Sequence, residues 1–137
     1  MNRLLARIES VKSGENLSRV SAKCGNVSFG CVVLETSDST PYLKQGEMIE
    51  LLFKETEVAV AVDFQGEISM SNQIPAIIDS LEKHPVLTIL HLRHKAFQIK
   101  SIITTASAER LNLQEGSAVT ALIKANEISI MEYNGTV

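Results

Sequence analysis

Phe97-Gln98-Ile99-Lys100-Ser101-Ile102 runs into Thr105-Ala106-Ser107-Ala108-Glu109-Arg110-Leu111-Asn112-Leu113, and this join decides the fold. In the first stretch Phe97 and Ile99 alternate with Gln98 and Lys100, the pattern of a half-buried strand. The second opens on Thr or Ser, which cap helix starts, and is stopped by Gln114-Glu115-Gly116. It is the one helical piece among short β-type runs near 73–82, 86–92, 96–103, 117–124 and 127–133.

Moved back by 70 positions, residues 72–131 fall on residues 2–61 without a gap. Eleven positions are then identical, including Asn2/Asn72, Ser37/Ser107, Gly46/Gly116, Lys54/Lys124 and Glu57/Glu127. Chance at average composition would give roughly 6%, or about four. Apolar pairs such as Val27/Phe97, Phe29/Ile99, Ile49/Val119 and Val58/Ile128 keep one buried pattern. The matching strands of the first copy lie near 3–12, 17–23, 27–34, 47–54 and 57–63, and Pro41 limits its helical segment to at most a single turn. Five strands with a short helix between the third and fourth predict an all-β chain of two tandem OB-like barrels, each with one short helix. The first spans 1–63 and the second 69–137, joined by the short segment Asp63–Ser71.

Units of about 65 residues bury little core and are marginal alone, so they must pack on each other or on other subunits. The net charge of −3 and 4% aromatic content argue against a nucleic-acid grip, which needs a basic face and stacking rings. No apolar run approaches membrane-spanning length, and the N-terminus is too charged for a signal peptide, which predicts a cytoplasmic chain. Cys24 and Cys31 have no counterparts in the second copy (His94 and Ser101) and read as reduced, buried apolar residues.

The best chemical candidate is Ile103-Thr104-Thr105-Ala106-Ser107-Ala108 together with Lys124. A strand ends, hydroxyls follow and a helix begins, so N–H groups, two hydroxyls and an ammonium can converge on a small tetrahedral oxyanion. Plain capping by Thr105 or Ser107, with Lys124 solvated, accounts for the same residues without a ligand. His91 and His94, three apart on a strand, point to opposite faces and do not share a metal. Glu57 and Glu127, at strand starts beside Lys54 and Lys124, suit a turn or salt-bridge role better than acid–base work.

Residues 69–131 resemble the molybdate-binding Mop family, also called TOBE domains or molbindins. Ser69-Met70-Ser71-Asn72-Gln73 is similar to the family's opening SARNQ, and Ile103-Thr104 through Glu127-Ile128 is similar to ITxxSxxxLxLxEGxxVxALIKAxEV. The resemblance implies an OB-like barrel that binds molybdate or tungstate without catalysis, at sites between barrels or subunits. It also implies the di-Mop arrangement of stand-alone molbindins or of the sensor half of molybdate-responsive regulators. Carried onto this chain, it places Ser69, Lys124 and Ala125 on one side of a site and Thr104, Ser107 and Ala108 on the other. Ser37 and Lys54 are the surviving equivalents in the first copy. There Leu34 replaces the Thr, and Glu35 and Asp38 stand beside it. The opening Arg is Ser71 in one copy and Met1 in the other, with Arg3 two residues out of register. The expectation is an oxyanion-binding homo-oligomer, first a trimer and then a dimer, for storage, buffering or sensing. A degenerate di-Mop interaction module that no longer binds anion is the alternative.

Overall fold

Both halves bulge at the same place. The first strand, β1 (Asn2–Ser13), shifts register against β2 (Ser18–Cys24) between Ile8 and Ser10; β6 (Asn72–Lys83) shifts against β7 (Leu87–His94) between Ile78 and Ser80. The structure, a computed structural model, describes residues 1–135; Thr136 and Val137 of the expected second unit lie outside the described residues. The other strands are β3 (Val27–Val33), β4 (Met48–Phe53), β5 (Ala59–Ala61), β8 (Phe97–Thr104), β9 (Ala118–Ile123) and β10 (Ser129–Glu132). Among the described residues a single α-helix, α1 (Thr105–Arg110), follows β8. The chain is all-β apart from that helix and short 3-10 turns, and forms two curled five-stranded sheets as OB-like barrels in tandem.

Strict alternation sets the faces. Leu4, Ala6 and Ile8 of β1 point inward with Ile74, Ala76 and Ile78 of β6, while the residues between them face out or are half-buried. Pro75 sits in a central strand at no cost to the β6–β7 ladder, because that ladder begins at Ile77. The 3-10 turns Glu55–Glu57 and Ala125–Glu127 repeat at the same offset, as do the left-handed Gly46 (φ 92°) and Gly116 (φ 89°).

The first copy has no helix. Thr40 N donates to Thr36 O (2.9 Å) in one turn, and Pro41 ends it. The helix of the second copy is shorter than its apolar pattern implied: it stops at Arg110, and Asn112 turns left-handed (φ 52°) before Gly116 is reached.

The repeats exchange their fifth strands. In one sheet the order is β10-β4-β1-β2-β3, and in the other β5-β9-β6-β7-β8. Ile130 pairs with Leu51 of the first copy, and Val60 pairs with Ala121 of the second. Each barrel is thus completed by its neighbour, and the buried residues of both belong to one continuous core. Phe29 links the halves, with ring centroids 6.5 Å from Phe53 and 5.7 Å from Phe97. Cys24 and Cys31 are free and buried, and burial pushes the Cys31 thiol up to about 12.

Candidate functional site

Thr104, Ser107 and Lys124 line one cleft of about 540 Å³. Unit two supplies these residues with Leu87 and Glu127; the exchanged segment of unit one supplies Thr56, Glu57, Val58 and Ala59. The site therefore sits where β5 enters the second barrel, and it exists because the strands are exchanged.

Local chemistry explains each position. Thr104 ends β8 and caps α1: its hydroxyl accepts from Ser107 N at 3.1 Å. The cap is Thr104, not Thr105 or Ser107. Thr105 turns inward instead, its hydroxyl donating to His84 O at 2.6 Å and bonding Thr88 Oγ1 at 2.8 Å. Ser107 Oγ accepts from the Arg110 guanidinium at 3.3 Å. Lys124 precedes the Ala125–Glu127 turn, is exposed, and makes no ion pair among the described residues. Glu57 and Glu127 close their 3-10 turns, their N–H groups donating to Lys54 O and Lys124 O, and both face the cleft. One lysine therefore stands against two carboxylates.

The remaining expected residues lie elsewhere. Ala108 is buried in the core, so only its backbone is available to a ligand. Ala125 is half-buried at the start of its turn and does not line the cleft. Ser69 is exposed on the connecting segment, although its neighbour Met70 reaches the cleft. Ser37 lies beside Ser13, whose Oγ accepts from its N–H at 3.3 Å. Lys54 is exposed. The equivalent cleft of the other half, about 290 Å³, is lined by Leu34, Glu35 and Asn126 and includes neither Ser37 nor Lys54. Arg3 is held by Glu50 at 3.3 Å. His91 pairs with Glu82, which holds that carboxyl below the usual range, and His94 faces Pro75 O and Asn26 Oδ1. Among the described residues no cluster of His, Cys, Asp or Glu is placed to hold a metal ion, and no helix is long and apolar enough to cross a membrane.

Two residues outside the expected set organise the junction. Asn72 Oδ1 accepts from Gly30 N at 2.8 Å, and Nδ2 donates to Gly30 O at 2.9 Å and to Ile123 O at 3.0 Å. Asn2 clasps Lys100 in the same way, at 2.8 and 2.9 Å. Their identity across the repeat was the available signal, but a polar residue opening a strand does not reveal its partner.

Residues 68–130 match the TOBE domain family. The second repeat is thus similar to a TOBE domain, and the chain as a whole has the tandem two-barrel architecture of a di-Mop, molbindin-like protein. Its fold is that of the cytoplasmic molybdate-binding protein ModG, solved with molybdate bound: TM-score 0.90, 22% identity, 96% of each chain covered. A molybdate-binding protein from Sporomusa ovata is 30% identical over 49% of this chain and 100% of its own, with a TM-score of 0.48. No curated protein sequence matches the chain significantly.

Proposed function

We propose that this protein binds molybdate, or the closely similar tungstate, as an intact oxyanion and without catalysis, in storage, buffering or sensing inside the cell. The observation that carries this reading is the convergence of Thr104, Ser107 and Lys124, which pairs with no carboxylate among the described residues, on one cleft, in a fold whose structural relative binds molybdate. Hydroxyls and an ammonium suit a fully ionised tetrahedral dianion, which accepts hydrogen bonds and donates none.

Glu57 and Glu127 face the same cleft, so a dianion there needs more positive charge than Lys124 gives. A neighbouring copy can bring Ser69, Ala125 and a second lysine edge to the cleft. The protein therefore works as a homo-oligomer, a trimer before a dimer, with sites between subunits. The smaller cleft with Leu34 and Glu35 is not a site of this kind. Titration calorimetry with molybdate, tungstate, sulfate and phosphate tests the reading. Molybdate and tungstate should compete, and phosphate should bind much more weakly, because near neutral pH part of it is protonated and carries a single charge for Lys124 to attract. Equal affinity for all four would mark a nonspecific basic spot.

A further inference from the structure

We infer that Arg19 is a further oxyanion-binding residue, reaching from the first barrel across Gly30 to the Ser71–Lys124 edge of the second. The inference rests on the oxyanion reading above and adds a residue to it.

Gly30 is the starting point. It lies in the ordinary extended backbone of β3, so nothing about its conformation calls for glycine. Space does: a methyl group there would stand 3.1 Å from an Arg19 guanidinium nitrogen and 3.5 Å from Ser71 Oγ. The guanidinium and the hydroxyl therefore lie over the same bare piece of backbone. A single atom joins that piece to the lysine edge. Asn72 Nδ2 donates both to Gly30 O and to Ile123 O, and Ile123 immediately precedes Lys124. Ser71 precedes Asn72, whose register partner is Ile123.

The Arg19 side chain is exposed and has neither a hydrogen bond nor an ion pair among the described residues. Glu9 accepts from Ser21, the register partner of Gly30, at 3.1 Å, and from Ser28 at 2.7 Å; it does not bond Arg19. A planar fork of donors is thus held beside the Ser71 hydroxyl, over the backbone that Asn72 ties to Ile123, the residue before Lys124.

The other junction carries the same feature by different means. At the positions equivalent to Gly30 and Arg19 stand Lys100 and Ile89, and Asn2 clasps Lys100 as Asn72 clasps Gly30. Each clasped junction therefore holds one cation from the opposite barrel. In one it stands on the clasped residue, and in the other it arrives from the adjacent strand through the space that glycine leaves.

Calorimetry with molybdate on the full chain tests this, comparing wild type, Arg19→Met, Arg19→Lys and, as a charge control, Lys44→Met. Circular dichroism would show each to be folded. Arg19→Met should weaken binding roughly tenfold or more, Arg19→Lys should restore part of the loss, and Lys44→Met should match wild type. Undiminished binding by Arg19→Met in a wild type that binds would overturn the role of Arg19 alone, as would an equal loss in Lys44→Met. A wild type that takes up no molybdate would overturn the oxyanion reading and this inference with it.

Discussion

Gly25 packs against Ala96: a methyl group on Gly25 would stand 2.3 Å from Ala96 Cβ, and Gly25 itself is left-handed at φ 61°. The tips of the β2–β3 and β7–β8 hairpins meet here, one from each repeat. Beside them His94 stacks on Phe97, 5.0 Å between centroids, and faces Asn26 at 3.1 Å.

Gly25→Ala should therefore be costly twice over. Left-handed backbone costs an L-residue about 1–2 kcal/mol, and overpacking adds about 1–3. Gly46→Ala is the comparison, since Gly46 is left-handed with nothing near its missing side chain. Thermal unfolding should place the Gly25→Ala midpoint clearly below that of Gly46→Ala. Equal midpoints would mean that the hairpin tips do not press together.

Asn72→Ala should destabilise more than Asn2→Ala. Removing Asn72 orphans a buried N–H and two carbonyls, at about 1–3 kcal/mol for each group left dry. Asn2 makes two such bonds, to the backbone of the exposed Lys100. Chemical denaturation would give the order, and a larger loss for Asn2→Ala would refute it.

Strand exchange makes a further prediction. A fragment of residues 1–67 lacks β10, and one of residues 68–137 lacks β5, so neither carries the strand that completes its sheet in the full chain. Separately, each should lack the dispersed NMR spectrum of a folded barrel; mixed, they should recover it. Two independently folded fragments would show that the exchange is dispensable.

The strands were legible because half-buried strands alternate: β1 and β6 show inward Leu4, Ala6, Ile8 and Ile74, Ala76, Ile78 in the letters themselves. Pro41 limits the first copy to one helical turn; the short helix expected there does not form, and only the Thr36–Thr40 turn remains. The strand exchange did not follow from the letters, because Ala59–Ala61 fits either sheet by pattern, and only tertiary closure selects its partner. At the site, Thr104, Ser107 and Lys124 were visible as types at a strand–helix join. Glu57 entering from the other repeat, and Arg19 lying over Gly30, depend on which chains are neighbours in space, and local spacing does not encode that.

Cys31 gives the pH dependence. Burial raises its thiol from the ordinary 9.0 to about 12, with the charge of Arg19 working in the opposite direction. The folded state thus keeps the proton that the unfolded chain loses. The contribution is full below pH 9.0 and is lost as pH rises from there towards about 12. Urea midpoints of the wild type should fall across that window more steeply than those of Cys31→Ala, and parallel slopes would contradict the assignment.

Molybdate calorimetry on Lys124→Ala and Lys54→Ala asks which of the two units holds the oxyanion. Lys124 faces the cleft with Thr104 and Ser107; Lys54 lines neither that cleft nor its counterpart. Losing a charge-assisted donor removes about 1.5–3 kcal/mol, so Lys124→Ala should weaken binding roughly ten- to a hundred-fold, while Lys54→Ala stays much closer to wild type. Molybdate binding that survives unchanged in both variants would mean that the Thr104–Ser107–Lys124 cleft does not hold the anion.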